Sequence, residues 1–169
     1  MPNRVIKSRA RTSSIQLAEC LASLLALQLM APSPVLYLIS PWITDMPLIR
    51  NRAGQYRAIM PEMSKDMLSL ADVLNALAER DVQIRIISRP YHQLTEDFIR
   101  KLPHTIERKT SNTLHEKGLI TEQFYLRGSM NFTYSGVNLN DESVELTTDP
   151  AAVATALIEA QQRWEELGS

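Results

Sequence analysis

Residues 114–131 read LHEKGLITEQFYLRGSMN, and the pattern of this stretch decides the fold class. Leu114–Thr121 and Gln123–Leu126 are two apolar-rich runs joined at a tight turn, which predicts an antiparallel pair of strands. Working outward, Val82–Ser88 alternates apolar and polar residues as a strand does. Val35–Ser40 is a short apolar run between Pro34 and Pro41, which predicts a buried strand. Helical spacing of Leu17, Leu21, Leu24 and Leu25 predicts a helix over Ile15–Met30. A second helix is expected from Ser64 to Asp81, with Met67, Leu70, Val73, Leu74 and Leu77 on one face, and a short one from Leu94 to Leu102. His104–Arg108 is an expected edge strand, and the stretch from Pro41 to about Met63 reads as loop. Downstream, Ser143–Thr148 is a strand. Pro150 then opens a last helix, with Val153, Leu157, Ile158 and Trp164 expected on its buried side. Helices alternate with strands around one antiparallel pair. The expected class is therefore α/β, a mixed β-sheet flanked by helices on both faces, in a single domain over residues 1–169.

Composition fits that expectation. A 169-residue chain buries roughly 70% of the surface its unfolded form exposes. Its 44% apolar and 22% charged residues are ordinary for a globular domain. The one cysteine, Cys20, excludes an intrachain disulfide and suits a reducing, cytoplasmic compartment. Its place in an apolar helical stretch makes it a buried small hydrophobe. Arg4, Lys7, Arg9 and Arg11 ahead of the apolar run outline a secretory signal, but Glu19 and Gln28 interrupt that run and no small-x-small cleavage site follows. Ser13 and Gln16 have capping-box spacing, so an amphipathic helix of the domain is the reading. Nothing else approaches the ~20 apolar residues of a membrane span, and no membrane partner is expected. Net charge of −1 gives no global basic field. However, residues 1–61 carry seven Lys or Arg against two acids, and residues 141–169 seven acids against Arg163 alone. That asymmetry would steer a polyanion to one face, or it is solvated helix surface.

The chemistry sits in the opening stretch and in Asn140-Asp-Glu142. An imidazole (His115) two residues from an ammonium (Lys117) is a poor core arrangement, because the buried cation would need a partner. It is a good phosphate site: on a strand both would project from one face, Lys117 neutralising the phosphate and His115 attacking phosphorus. Gly128 and Ser129 end the next strand, where glycine lets backbone approach a ligand, and Ser129 and Asn131 offer donors. Glu142 could hold the His115 ring nitrogen. No metal-ligand spacing occurs, so neither metal nor other cofactor is expected.

Taken together, His115-x-Lys117, the acid Glu122, Gly128-Ser129-x-Asn131 and Asn140-x-Glu142 resemble the HKD signature of the phospholipase D superfamily. The run Gly-Ser-Met-Asn-Phe-Thr is similar to its small bacterial endonucleases rather than its lipases. Size and Ser40-Pro41-Trp42 also resemble the phospholipase D-like component of bacterial 7-deazaguanine DNA-modification and restriction clusters. The resemblance implies a metal-independent phosphodiesterase, a nuclease of DNA or RNA serving restriction or defence, with partner proteins of such a system. A lipid phosphodiesterase or phosphatidyl transferase, or an idle nucleic-acid-binding subunit, are the rivals. In the implied mechanism His115 forms a phosphohistidine, Lys117 and Asn131 bind the non-bridging oxygens, and Glu142 orients His115. Gly128, Ser129 and Asn140 complete the substrate pocket. The family's usual aspartate is here Glu122. The mechanism needs a second histidine, and His92 and His104 lack the motif and read as loop or surface residues. The resemblance therefore implies a homodimer that shares one site. Trp42 reads as a core residue in preference to a base-stacking one. Arg50, Arg52 and Arg57 could grip flanking phosphates or be solvated. Met60, Met63 and Met67 read as core or interface filling.

Overall fold

A computed structural model describes residues 3–8, 14–52, 56–58, 61, 64–138 and 141–168. In chain order its elements are β1 (Arg4–Ser8), α1 (Ser14–Met30), β2 (Val35–Ile39), β3 (Pro47–Arg50), β4 (Met67–Ser69), α2 (Leu70–Ala78), β5 (Gln83–Ser88), α3 (Gln93–Arg100), β6 (Glu107–Thr110), β7 (Gly118–Ile120), β8 (Tyr125–Gly128), α4 (Tyr134–Asn138), β9 (Glu142–Thr147) and α5 (Pro150–Glu166). Seven strands form one sheet in the order β1-β9-β8-β7-β2-β5-β6, and β3 pairs with β4 apart from it. β2, β5 and β6 are mutually parallel, whereas β7, β8, β9 and β1 add antiparallel neighbours on the other side. The mixed sheet is thus as expected.

β2 is apolar at every position because it is central and covered on both faces. Leu36 and Leu38 point into one core with Ile84, Ile86, Leu119, Leu126 and residues of α1, α2 and α3. Tyr37 and Ile39 point the other way, to Ile87, Ile120 and the Ala156, Ala160 and Trp164 face of α5. Helices therefore cover both faces. α1 buries Leu17, Leu21 and Leu25 completely, as its spacing predicts. Gln28 is also fully buried. Its amide oxygen accepts from the Ser33 N–H at 3.0 Å and its amide nitrogen donates to Gln123 at 3.2 Å, which ties the end of α1 to the β7–β8 turn. No helix among the described residues is long and apolar enough to cross a membrane.

Several boundaries differ from expectation, each for a tertiary reason. The second helix starts at Leu70, not Ser64. Met67–Ser69 is drawn off to pair with Pro47–Arg50, inside the supposed loop, and Ser69 caps the helix by a reciprocal bond pair with Asp72 at 3.2 and 2.9 Å. Met67 is consequently exposed, while Met60 and Met63 lie outside the described residues, as do Ser13, Arg9 and Arg11. Arg4–Ser8 forms an unforeseen edge strand on β9. The other edge strand begins at Glu107 instead of His104, and on α5 Ile158 faces solvent.

Candidate active site

The strand order dictates where the motif goes. β6 lies outside β5, while β7 lies on the far side of β2, so residues 111–117 must cross the carboxyl ends of β5 and β2. Carboxyl ends of parallel strands beside a reversal of direction are where open α/β sheets bind ligands. The crossing loop is fixed by the Ser111 N–H on the Ser88 carbonyl at 3.0 Å and by Arg89 Nε on the Leu114 carbonyl at 2.7 Å. Leu114 is buried, and His115 is delivered exposed at the sheet edge.

The imidazole meets a residue that the motif does not contain. Arg89 Nη2 lies 3.1 Å from Nδ1 and 3.2 Å from Nε2 of His115. A guanidinium only donates, so this contact needs a ring nitrogen that still carries its lone pair. Arg89 is itself braced. Its N–H donates to the Pro41 carbonyl at 3.1 Å, and its carbonyl accepts from Arg108 at 3.3 Å. Arg108 in turn is held by Ser88 at 2.9 Å and by both Glu96 oxygens at 2.7 and 2.8 Å. The Arg108 bonds keep the Glu96 carboxyl below the usual carboxylate range, so the brace is ionised near neutrality. The available signal for Arg89 was its place just past a predicted strand.

Contrary to the expected strand over Leu114–Thr121, His115 and Lys117 lie in the loop before it, because regular pairing begins only at Gly118. Lys117 is half-buried and its Nζ donates to the His115 carbonyl at 2.8 Å. It lines a 510 Å³ cleft between the sheet and α5, where Glu116 pairs with Arg163.

The second half of the motif arrives on the neighbouring strands. The Gly128 N–H donates to the Lys117 carbonyl at 3.3 Å. A Cβ on Gly128 would stand 2.1 Å from the Ser143 carbonyl, so the β9 backbone alone requires glycine here. Ser129 donates to the Glu142 carboxylate, and its Oγ accepts from the Ser143 N–H at 3.0 Å. Glu142 thus accepts from Ser129, and the ring nitrogens of His115 face Arg89. Asn131 Oδ1 lies 3.4 Å from the hydroxyl of buried Ser40, which also accepts from the Phe132 N–H at 3.2 Å. α4 closes on this segment so tightly that a Cβ on Gly136 would stand 2.3 Å from the Asn131 carbonyl. His115, Lys117, Gly128, Ser129, Asn131 and Glu142 therefore stand at one end of the sheet. Asn140 lies outside the described residues.

Other candidates fall elsewhere. Glu122 is exposed in the β7–β8 turn, at the end of those strands opposite His115, which explains why an acid of different length is accommodated. His92 caps α3, accepting from the Thr95 N–H at 3.3 Å, and His104 is exposed in a turn. Trp42 is 42% exposed, which corrects its assignment to the core. Arg50, Arg52 and Arg57 are exposed. Among the described residues, no three His, Cys, Asp or Glu are grouped to hold a metal.

Against solved structures, the fold matches NucT from Helicobacter pylori with a TM-score of 0.64 at 15% identity, over 97% of this chain and 96% of that one. It matches Nuc from Salmonella typhimurium, a phospholipase D family member, with a TM-score of 0.62 at 16% identity, over 97% and 94%. It also resembles polyphosphate kinase from Porphyromonas gingivalis (TM-score 0.60, 12% identity), covering 99% of this chain but 26% of the kinase. No curated protein matches in sequence. The family model described as "Cardiolipin synthase, PLD-like domain" matches residues 48–164, which contain His115, Lys117, Gly128, Ser129, Asn131 and Glu142. The chain belongs to this phospholipase D-like family.

Proposed function

We propose that the protein is a metal-independent phosphodiesterase that cleaves nucleic acid through a phosphohistidine on His115, in a homodimer whose two subunits share one reaction centre. The observation that supports this reading is that an exposed imidazole, an ammonium and the Asn131 amide all stand at one end of the sheet. His115 attacks phosphorus, and the bond to the leaving oxygen breaks as the partner subunit's His115 gives that oxygen a proton. Water, losing a proton to the same imidazole, then cleaves the P–N bond and frees His115. Lys117 and Asn131 stabilise the oxygens on which negative charge accumulates. With Oδ1 of Asn131 set against Ser40, its amide is left to present Nδ2, the donor a phosphate oxygen needs. Glu142 acts through Ser129, holding the strand ends in register, and Asn140 belongs to the same rim. A place in restriction or defence, with partner proteins, extends this proposal on the strength of the motif resemblance.

Purified protein incubated with labelled single-stranded DNA, duplex DNA, RNA and phospholipid vesicles tests the reading. Cleavage of nucleic acid is expected to continue in excess EDTA, since Lys117 supplies the positive charge a metal would bring. Full inhibition by chelator with recovery on adding a divalent ion would overturn the mechanism. Turnover of phospholipid alone would make the chain a lipid enzyme, and turnover of nothing would leave a binding subunit.

Arg89 is a positioning residue in this scheme. Arg89→Ala is expected to lower kcat about 100-fold, the order of loss that follows an ångström-scale misplacement of a reacting group, with KM little changed. Arg89→Lys should not restore it, because one ammonium cannot hold the Leu114 carbonyl and the imidazole as a planar fork does. Equal rises in KM for both variants, with kcat intact, would instead mean that Arg89 serves binding.

A further inference from the structure

Beside the motif residues, on the side of Asn131 and Ser40, lies a groove of 770 Å³ lined by Trp42, Thr44, His92, Leu94, Asn131 and Tyr134, among others. That volume is in the range of clefts that take small organic ligands, roughly 300–1,000 Å³. We propose that this groove is a nucleobase subsite, holding the base of a nucleotide next to the scissile phosphate and unstacked from its neighbours. The inference rests on the phosphodiesterase reading and adds to it the form of the substrate: the base must be unpaired, so single strands are preferred to duplex.

Three observations support the occupant. First, Asn131 of the candidate phosphate site also lines the groove, so a ligand whose phosphate meets the Asn131 amide has its adjoining base at the mouth of the groove. Second, its wall is a prebuilt aromatic shelf. The Trp42 and His92 rings lie 5.7 Å apart at 31°. His92 is locked by its bonds to Thr95, whose hydroxyl also accepts from the Ile43 N–H at 3.0 Å, and the Trp42 carbonyl is held by Ser40 at 2.8 Å. A ring already held, as His92 is, and an indole on an anchored backbone lose less freedom when a base stacks on them. Third, the charges in the groove are already paired. Lys101 is bound to Asp45 at 3.0 Å, and Asp97 to Arg100. A second phosphate would find no unengaged cation there, whereas a neutral heterocycle finds aromatic faces and the hydroxyls of Thr44, Thr133 and Ser135.

The surrounding surface agrees. Tyr134 is 50% exposed and Tyr91 93% exposed. Tyr91 has a φ of 66°, a backbone conformation rare for a bulky residue. Tyr91 stands between Arg89, which touches His115, and His92, whose ring lies tilted beside Trp42. The loop after β5 therefore links the nucleophile to the shelf through consecutive residues.

The test uses the intact protein with single-stranded oligonucleotides in which one nucleotide at a time is replaced by an abasic one. Wild-type kcat/KM is expected to fall about 10-fold when the base flanking the cut is removed, the order of loss when one stacking partner is deleted. Trp42→Ala should lose about the same on the complete strand and nothing further on the abasic one, and Trp42→Phe should recover most of the loss. Additive losses from the two changes, or no loss from either, would overturn the subsite. Light scattering should give Trp42→Ala the mass of the wild type. Dissociation with equal loss on every substrate would assign the patch to a second copy of the chain and overturn the proposal. A binding arm separates this inference from the reading beneath it. Tryptophan fluorescence of the His115→Ala protein should be quenched by the complete strand and not by the abasic one, buried Trp164 contributing a constant background. Base-dependent quenching with no cleavage by the wild type would sink the phosphodiesterase reading alone. Cleavage by the wild type that ignores the base would sink the subsite alone.

Discussion

His115→Ala protein is expected to fold normally and to lose phosphodiester cleavage by about 10⁴–10⁶-fold, the scale seen when an enzyme's nucleophile is deleted. The side chain is exposed and its contact is with Arg89, so the stability cost should stay within about 1 kcal/mol. Thermal melting and cleavage assays on the same preparation separate the two. Activity within a few-fold of wild type would remove His115 from the role of nucleophile. The shared site makes a sharper demand. If one His115 attacks while the other protonates the leaving oxygen, one phosphorus must lie between them, and the two rings should approach within roughly 5–8 Å. Wild-type subunits mixed with excess His115→Ala should then lose activity as heterodimers form, since each keeps one of the two histidines. A fully active monomer by light scattering would defeat the shared site while leaving the nucleophile in place.

Lys117→Ala is expected to cost about 10³-fold in kcat and Asn131→Ala about 10²-fold, the span measured for single groups that stabilise an oxyanion. The order follows from charge: an ammonium acts on growing negative charge more strongly than a neutral amide donor. Lys117 is also half-buried with its Nζ on the His115 carbonyl, so its removal loosens the crossing loop as well. Comparison with Lys117→Arg separates the two contributions. Arginine keeps the charge while changing the geometry, and partial recovery of kcat would assign the larger share to charge. Equal, small losses for Lys117→Ala and Asn131→Ala would mean that the pocket binds something other than phosphate.

The sequence by itself determined the α/β class and the functional motif, because both are written in local terms. Alternation in β5, the unbroken apolar run of β2 and the leucine spacing of α1 are periodicities of single elements, and a strand covered on both faces has no choice but to be apolar throughout. His115, Lys117, Gly128, Ser129, Asn131 and Glu142 stand within 28 residues, two just before one hairpin, three at or just past its end and one opening the next strand, so the motif could be read without knowing the sheet. What only the tertiary structure decided is non-local. The strand order sends the 111–117 loop across the ends of β5 and β2, and that crossing is what sets Arg89, 26 residues upstream, against His115. It also turns Gly128 into a contact with β9, takes Met67 out of a helix to pair with β3, and brings Trp42 out of the core to meet His92. None of these has a periodic signature, because each depends on which strand lies beside which. Strand order follows from the whole set of faces that must be buried together, not from any one stretch of chain.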